Sequence, residues 1–95
     1  MKISTSKKNK KFFLLFEGKK IPITQSISIG SKEGDLIIQD QEIAKKHCTF
    51  YPEGQSITLI DHNSQTGTFI GQIRIHPERK VFLVDRDIIR IGNTV

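Results

Sequence analysis

From residue 12 to the end of the chain, short runs of β-branched and aromatic residues alternate with polar ones, and Gly, Pro, Asp or Asn breaks the runs every few residues. No stretch sustains the 3.6-residue apolar period of a helix, whereas a period of two suits strands that bury one face. The runs predict strands over 11–17, 19–24, 26–29, 36–38, 47–51, 56–61, 68–70, 73–76, 81–83 and 88–91. Strands this short and this numerous close a core only as a sandwich or a barrel. The fold expected is all-β, with two twisted sheets packed face to face as a β-sandwich of about ten to eleven short strands.

Glu17-Gly18-Lys19 and Pro52-Glu53-Gly54-Gln55 place a glycine between alternating runs, where a tight hairpin needs positive φ. Three other connections, 30–35, 39–46 and 62–67, are polar and show no alternation. Irregular loops on a rigid sheet scaffold are the usual seat of recognition.

Five lysines, Lys2, Lys7, Lys8, Lys10 and Lys11, crowd the first eleven residues with no acidic residue among them. After residue 11, ten Lys or Arg face ten Asp or Glu, so the net charge of +5 belongs to that end. Residues 1–10 hold only Met1 and Ile3 as apolar side chains and read as a flexible basic tail, with the sandwich spanning 11–95. A nucleic-acid footprint would need basic residues on the folded face too, so no nucleic acid is expected as a partner. The longest apolar run, 12–16, is far shorter than the roughly 20 residues of a membrane span, and no cleavage-site pattern follows it. No membrane contact is expected. The lone Cys48 cannot staple the fold, in keeping with a reducing compartment such as the cytoplasm.

The ingredients for catalysis are few. His47 and Cys48 are adjacent, so in a strand they point to opposite faces and cannot work as base and nucleophile. Cys48 alternates with Phe50 and reads as a small core residue. His62 and His76 show no zinc-site spacing, no Gly-rich loop leads into a helix, and no carboxylates pair in a recognisable frame. The expectation is a module that is not an enzyme, with no catalytic residues, no metal and no cofactor.

An ordered series then becomes specific. It runs from Ile29-Gly30-Ser31 through Asp35-Leu36-Ile37-Ile38-Gln39-Asp40 to Ile43-Ala44-Lys45-Lys46-His47-Cys48, and on through Asp61, Ser64-Gln65-Thr66-Gly67-Thr68-Phe69-Ile70 and Asp87-Ile88-Ile89-Arg90-Ile91-Gly92. The series resembles the forkhead-associated (FHA) domain over about residues 12 to 95. That family has, in the same order, a strand ending in Gly-Arg, an Asp-Ile-x-Leu strand, a Ser-Arg-x-His turn, an Asp, a Ser-x-Asn-Gly-Thr turn and a closing Gly-Asp-x-Ile-x-Ile-Gly. The resemblance implies an FHA/SMAD-like sandwich whose loops at one end receive a phosphothreonine peptide. It also implies a final strand after Ile91-Gly92 that pairs with the strand at 11–17. Only Asn93, Thr94 and Val95 follow, so that strand is expected to be missing or truncated, leaving an open edge and the prospect of a strand-sharing dimer.

Position by position, the resemblance puts the peptide and phosphate contacts at Ser31, Lys32, Ala44, Lys45, Lys46, Gln65 and Thr66. Ser31 stands where the family has its phosphate-binding Arg, and Ala44 where it has its phosphate-binding Ser. Lys45 stands where Arg is common, Thr66 where a peptide-contacting Asn is usual, and Gly71 where a second Asn is usual. Gln65 occupies a position where small hydroxyl residues often help hold the phosphate. The matching residues, Gly30, His47, Asp61, Ser64, Gly67 and Thr68, are those that hold the loops. The expected function is therefore a protein-interaction module working by phosphorylation-independent contacts. The alternative is a phosphothreonine reader in which Lys32, Lys45 and Lys46 compensate for the missing Arg, with Thr5 between Ser4 and Ser6 as a candidate ligand within its own chain.

Overall fold

The computed structural model describes residues 1–95 and contains eleven strands and no helix. They are β1 (Lys2–Thr5), β2 (Phe12–Phe16), β3 (Lys19–Pro22), β4 (Ile27–Gly30), β5 (Leu36–Ile37), β6 (Cys48–Glu53), β7 (Ser56–Asp61), β8 (Thr68–Ile70), β9 (Ile73–Arg74), β10 (Val81–Leu83) and β11 (Ile89–Ile91). Glu17 and Gly18, with φ of 49° and 75°, make the two-residue turn that sets Phe16 opposite Lys19. Positive φ at both central residues gives the turn a twist that matches the strands on either side.

One layer is a five-stranded sheet in the order β10-β7-β6-β4-β5, antiparallel except for the parallel pair of β4 with β5. The facing layer joins two three-stranded groups, β1-β2-β3 and β11-β8-β9. The seam between them is β1. It pairs antiparallel with β2 on one side, and on the other the Ile3 N–H donates to Asp87 O, the Arg86 N–H to Ile3 O and the Ile89 N–H to Met1 O. The result is a continuous layer β3-β2-β1-β11-β8-β9. Inward side chains of both layers, among them Ile3, Leu14 and Ile89 from one and Ile29, Phe50 and Leu59 from the other, form one buried cluster.

Two expectations need correction here. Residues 1–10 are not a free tail, because Lys2–Thr5 forms β1, Ile3 is fully buried and Met1 nearly so. The alternation of Met1 and Ile3 with Lys2 and Ser4 is a strand pattern, and two apolar side chains sufficed once β2 and residues 86–89 offered backbone partners on both sides. The edge of β2 is likewise not open, since β1 lies along it. Thr5 accordingly sits in a strand opposite Phe12 with its hydroxyl buried, which removes it as a mobile ligand within the chain.

Candidate functional site

The three irregular connections, 31–35, 38–47 and 62–67, gather at one end of the sandwich and are tied to one another rather than left separate. The first is clamped onto the second. The Ser31 N–H donates to Ala44 O at 2.9 Å, and the N–H groups of Lys32 and Glu33 both donate to Lys45 O, at 3.3 and 2.8 Å. This close approach depends on Gly30, because a Cβ there would overlap the carbonyl oxygens of Lys45 and Glu33. Asp35 closes the first loop by accepting from the Ser28 N–H at 2.9 Å and the Ser28 hydroxyl at 3.1 Å. The Ser28 N–H, then the Ser28 hydroxyl, hold the Asp35 carboxyl below its ordinary range, and Lys46 adds a smaller pull in the same direction.

His47 fastens the second connection to the third. Its ring is fully buried; Nδ1 accepts from the Ala44 N–H at 3.1 Å, which leaves Nε2 to donate to Gly67 O at 2.9 Å. The neutral imidazole thereby satisfies both loops with one tautomer. Asp61, also buried, organises the third connection by accepting from the Ser64 N–H at 3.0 Å, the Ser64 hydroxyl at 2.5 Å and the Thr68 hydroxyl at 2.7 Å. The Ser64 oxygen then accepts from the Gly67 N–H at 3.0 Å.

Two further ties were not visible in the sequence. The Thr66 hydroxyl donates to Glu42 O at 2.6 Å, bridging the second and third connections across the surface. Arg74, from β9, reaches back over Gly67 and donates to Ser64 O at 3.4 Å and Gln65 O at 3.2 Å. Both are side chain to backbone bonds between segments distant in sequence, and no residue pattern announces them.

The candidate contact residues thus fall on one face. Lys32, Lys45, Lys46 and Gln65 are exposed, and Ser31, Ala44 and Thr66 are half-buried. A shallow cleft of about 270 Å³ between the second and third connections is lined by Gln41, Glu42, Ile43, Ala44, Gln65 and Thr66. It carries one carboxylate and no cation. A neighbouring cleft of about 420 Å³, between the first and second connections, has Lys32 but also Asp40 on its walls. The Asp40 carboxyl is held low, chiefly by the Glu42 N–H, and it also accepts from the Asn93 N–H and the Thr94 hydroxyl.

Cys48 lies beneath this face and is fully buried. Burial, and secondarily the charge of Asp61, pushes its thiol up to about 12 against a small opposing effect of the Thr68 hydroxyl. Native protein at about pH 8 should therefore resist iodoacetamide while guanidinium-unfolded protein alkylates readily, as followed by mass spectrometry. Equal rates in the two states would contradict the burial. Because the folded value is raised, the thiol's contribution to stability holds below its ordinary value of 9.0 and is lost as the pH climbs toward about 12.

Known proteins agree with this architecture. No curated protein sequence matches the chain. Among solved structures, Mycobacterium tuberculosis EmbR in complex with a low-affinity phosphopeptide superposes with a TM-score of 0.78 at 23% identity, covering 86% of this chain and 22% of that one. The FHA domain of the CT664 protein from Chlamydia trachomatis gives 0.74 at 17%, covering 98% and 89%. The FhaA FHA domain, complexed with the intracellular domain of a second protein, gives 0.72 at 25%, covering 82% and 85%. The model of the FHA domain family matches residues 27–92, from the first residue of β4 to just past β11. With the loop ties described above inside that span, the chain belongs to the forkhead-associated domain family, whose members are protein-interaction modules.

Proposed function

We propose that the loop end of the sandwich binds a protein partner through contacts that do not require phosphorylation, and that the domain catalyses no reaction and works in a reducing compartment such as the cytoplasm. The observation that carries this reading is the composition of the cleft beside Ala44 and Thr66, whose lining includes an acidic residue, Glu42, and no cation. A phosphoryl group brings about −1.5 to −2 charge and is held best by an Arg fork with hydroxyl donors around it. Here Ser31 offers one neutral hydroxyl in place of the fork, Ala44 offers no side-chain donor, and the Thr66 hydroxyl is already committed to Glu42 O. Losing one charge-assisted and one neutral contact costs about 2 to 4 kcal/mol, or on the order of 30- to 1,000-fold in affinity.

The competing reading, phosphothreonine recognition by lysines, is favoured by the exposure of Lys32 and Lys45 beside the rigid clamp at Lys45 O. An NMR titration with a degenerate peptide library centred on phosphothreonine, and with its unphosphorylated counterpart, separates the two. The expected result is no phosphate-dependent shift at Ser31, Lys45 or Thr66 at about 1 mM peptide, a concentration that would reveal binding as weak as about 4 kcal/mol. Phosphate-dependent shifts there, abolished by Lys45→Ala, would establish the reader instead.

A further inference from the structure

At the end of the sandwich opposite the loops, a second surface lies along the edge of β10. β7 runs from the hairpin at Gln55 to Asp61 at the loop end, and β10 pairs with its first half, Leu83 opposite Ile57. β10 is the last strand of its sheet and has no neighbour on its far side. Although 81–84 is apolar throughout, strand alternation turns only two of its side chains inward. Leu83 is buried and Val81 half-buried, whereas Phe82 and Val84 are 67% and 65% exposed. Beside this edge runs a groove of about 550 Å³ whose opposite wall is the turn from β1 into β2, with Thr5, Lys7, Lys10 and Phe12 upon it. The Thr5 hydroxyl on that wall is buried and has no hydrogen-bond partner.

We propose that this groove binds an extended peptide segment of a partner protein, rich in acidic and apolar residues, which adds to the free edge of β10. Main-chain pairing with an edge strand supplies affinity, and side chains alternating above and below the new strand supply selectivity. Lys7 and Lys10 select acidic side chains, while Phe82, Val84 and Phe12 take apolar ones. Asp85, the one carboxylate of the groove, accepts from the Thr5 N–H at 2.7 Å and lies 3.8 Å from the Arg86 guanidinium, so its charge is already met. The length available is Val81 to Leu83, about three residues of a strand at roughly 3.3 Å each, since the Val84 N–H donates to the Asp87 carboxylate and its C=O accepts from the Asp87 N–H. A second copy of the chain is the wrong occupant. Its own edge, 79–86, brings Arg79 and Arg86 against the single Asp85, with Lys80 already paired to Glu53 at 2.6 Å, so net positive charge would meet Lys7 and Lys10.

The test is an NMR titration of the full chain with the capped hexapeptide Glu-Val-Glu-Val-Glu-Thr, its Lys-for-Glu counterpart, and vesicles containing phosphatidylserine. The expected result is shifts and slowed amide exchange within 81–83 with the acidic peptide, and binding weakened about tenfold or more both by Lys7→Glu with Lys10→Glu and by Phe82→Ser. All three side chains are exposed, so the variants should fold, which thermal melts verify. The proposal is overturned by equal binding of the acidic and lysine peptides, by shifts confined to residues 6–11, or by no shifts at about 1 mM. Engagement of the vesicles through Phe82 and the lysines, with no response to the peptide, would assign the surface to a membrane and overturn it as well. None of these outcomes involves the loop end, so they leave the reading of that site untouched.

Discussion

Asp61→Ala should lower the stability of the domain by about 3 to 5 kcal/mol, because it strands buried donors rather than merely deleting a contact. The Ser64 N–H, the Ser64 hydroxyl and the Thr68 hydroxyl all donate to this one carboxylate, and Ser64 and Thr68 are themselves buried. A chain of this size has a total stability of roughly 5 to 14 kcal/mol, so the loss is a large part of what holds it folded. Thermal unfolding should show the midpoint falling by about 12 to 40 °C, at about 4 to 8 °C per kcal/mol. Asp61→Asn keeps the shape and one acceptor oxygen while turning an amide donor toward another donor, and should cost less than the alanine variant. Thr68→Val in the Asp61→Ala background should recover part of the loss by removing one stranded hydroxyl, a double-mutant coupling of about 0.5 to 3 kcal/mol. Strict additivity of the two changes would mean that the carboxylate does not organise this loop.

The second large effect is expected at Ile3, which the sequence alone assigns to a tail. It is fully buried in β1, and Ile3→Ala should cost about 2 to 4 kcal/mol through lost transfer energy and the cavity left behind. An upper limit applies, since a short terminal strand can peel away once its attachment is weakened. Ile3→Asp tests for that limit. A carboxylate cannot stay in the core, so this variant should release β1, and the free energy it loses equals that which pins the strand. Hydrogen exchange should then show fast amides at Ile3, Arg86 and Ile89, whose N–H groups form the seam, while Leu59 and Phe50 remain slow. A wild-type stability in Ile3→Ala would mean that β1 is not an integral strand.

Much of the sandwich was legible because most of its other strands are short β-rich runs bounded by their own turn signals. Ile57 and Leu59 face the core while Ser56 and Ile60 face outward, and the Glu17-Gly18 turn needs no tertiary help to be recognised. β1 was not legible, because its partners at 86–89 lie at the far end of the sequence and two apolar side chains are a weak pattern. The free edge at β10 was obscured for the opposite reason: Val81, Phe82, Leu83 and Val84 are all apolar, so periodicity cannot say which pair turns inward. At the loop end, family resemblance located Ser31, Ala44 and Thr66. It could not show that Thr66 spends its hydroxyl on Glu42, or that Arg74 crosses Gly67, because those bonds exist only after the sheets have brought the loops together.

The pairing of β1 with residues 86–89 also orders events in time. The Met1 ammonium donates to Ile89 O across a separation of 88 residues, so residue 1 finds this partner only after residue 89 has been made. At about 5 to 20 residues per second, β1 waits on the order of 4 to 18 s for its partner to be made. During that interval the β6–β7 hairpin, whose partners are adjacent in sequence, can already form, while the edge of β2 has at most one short strand to cover it. Closure of the six-stranded layer thus cannot begin until residues 86–89 have been made. Nascent chains stalled before residue 86 should display exposed apolar surface and engage chaperones more than chains extended past residue 91.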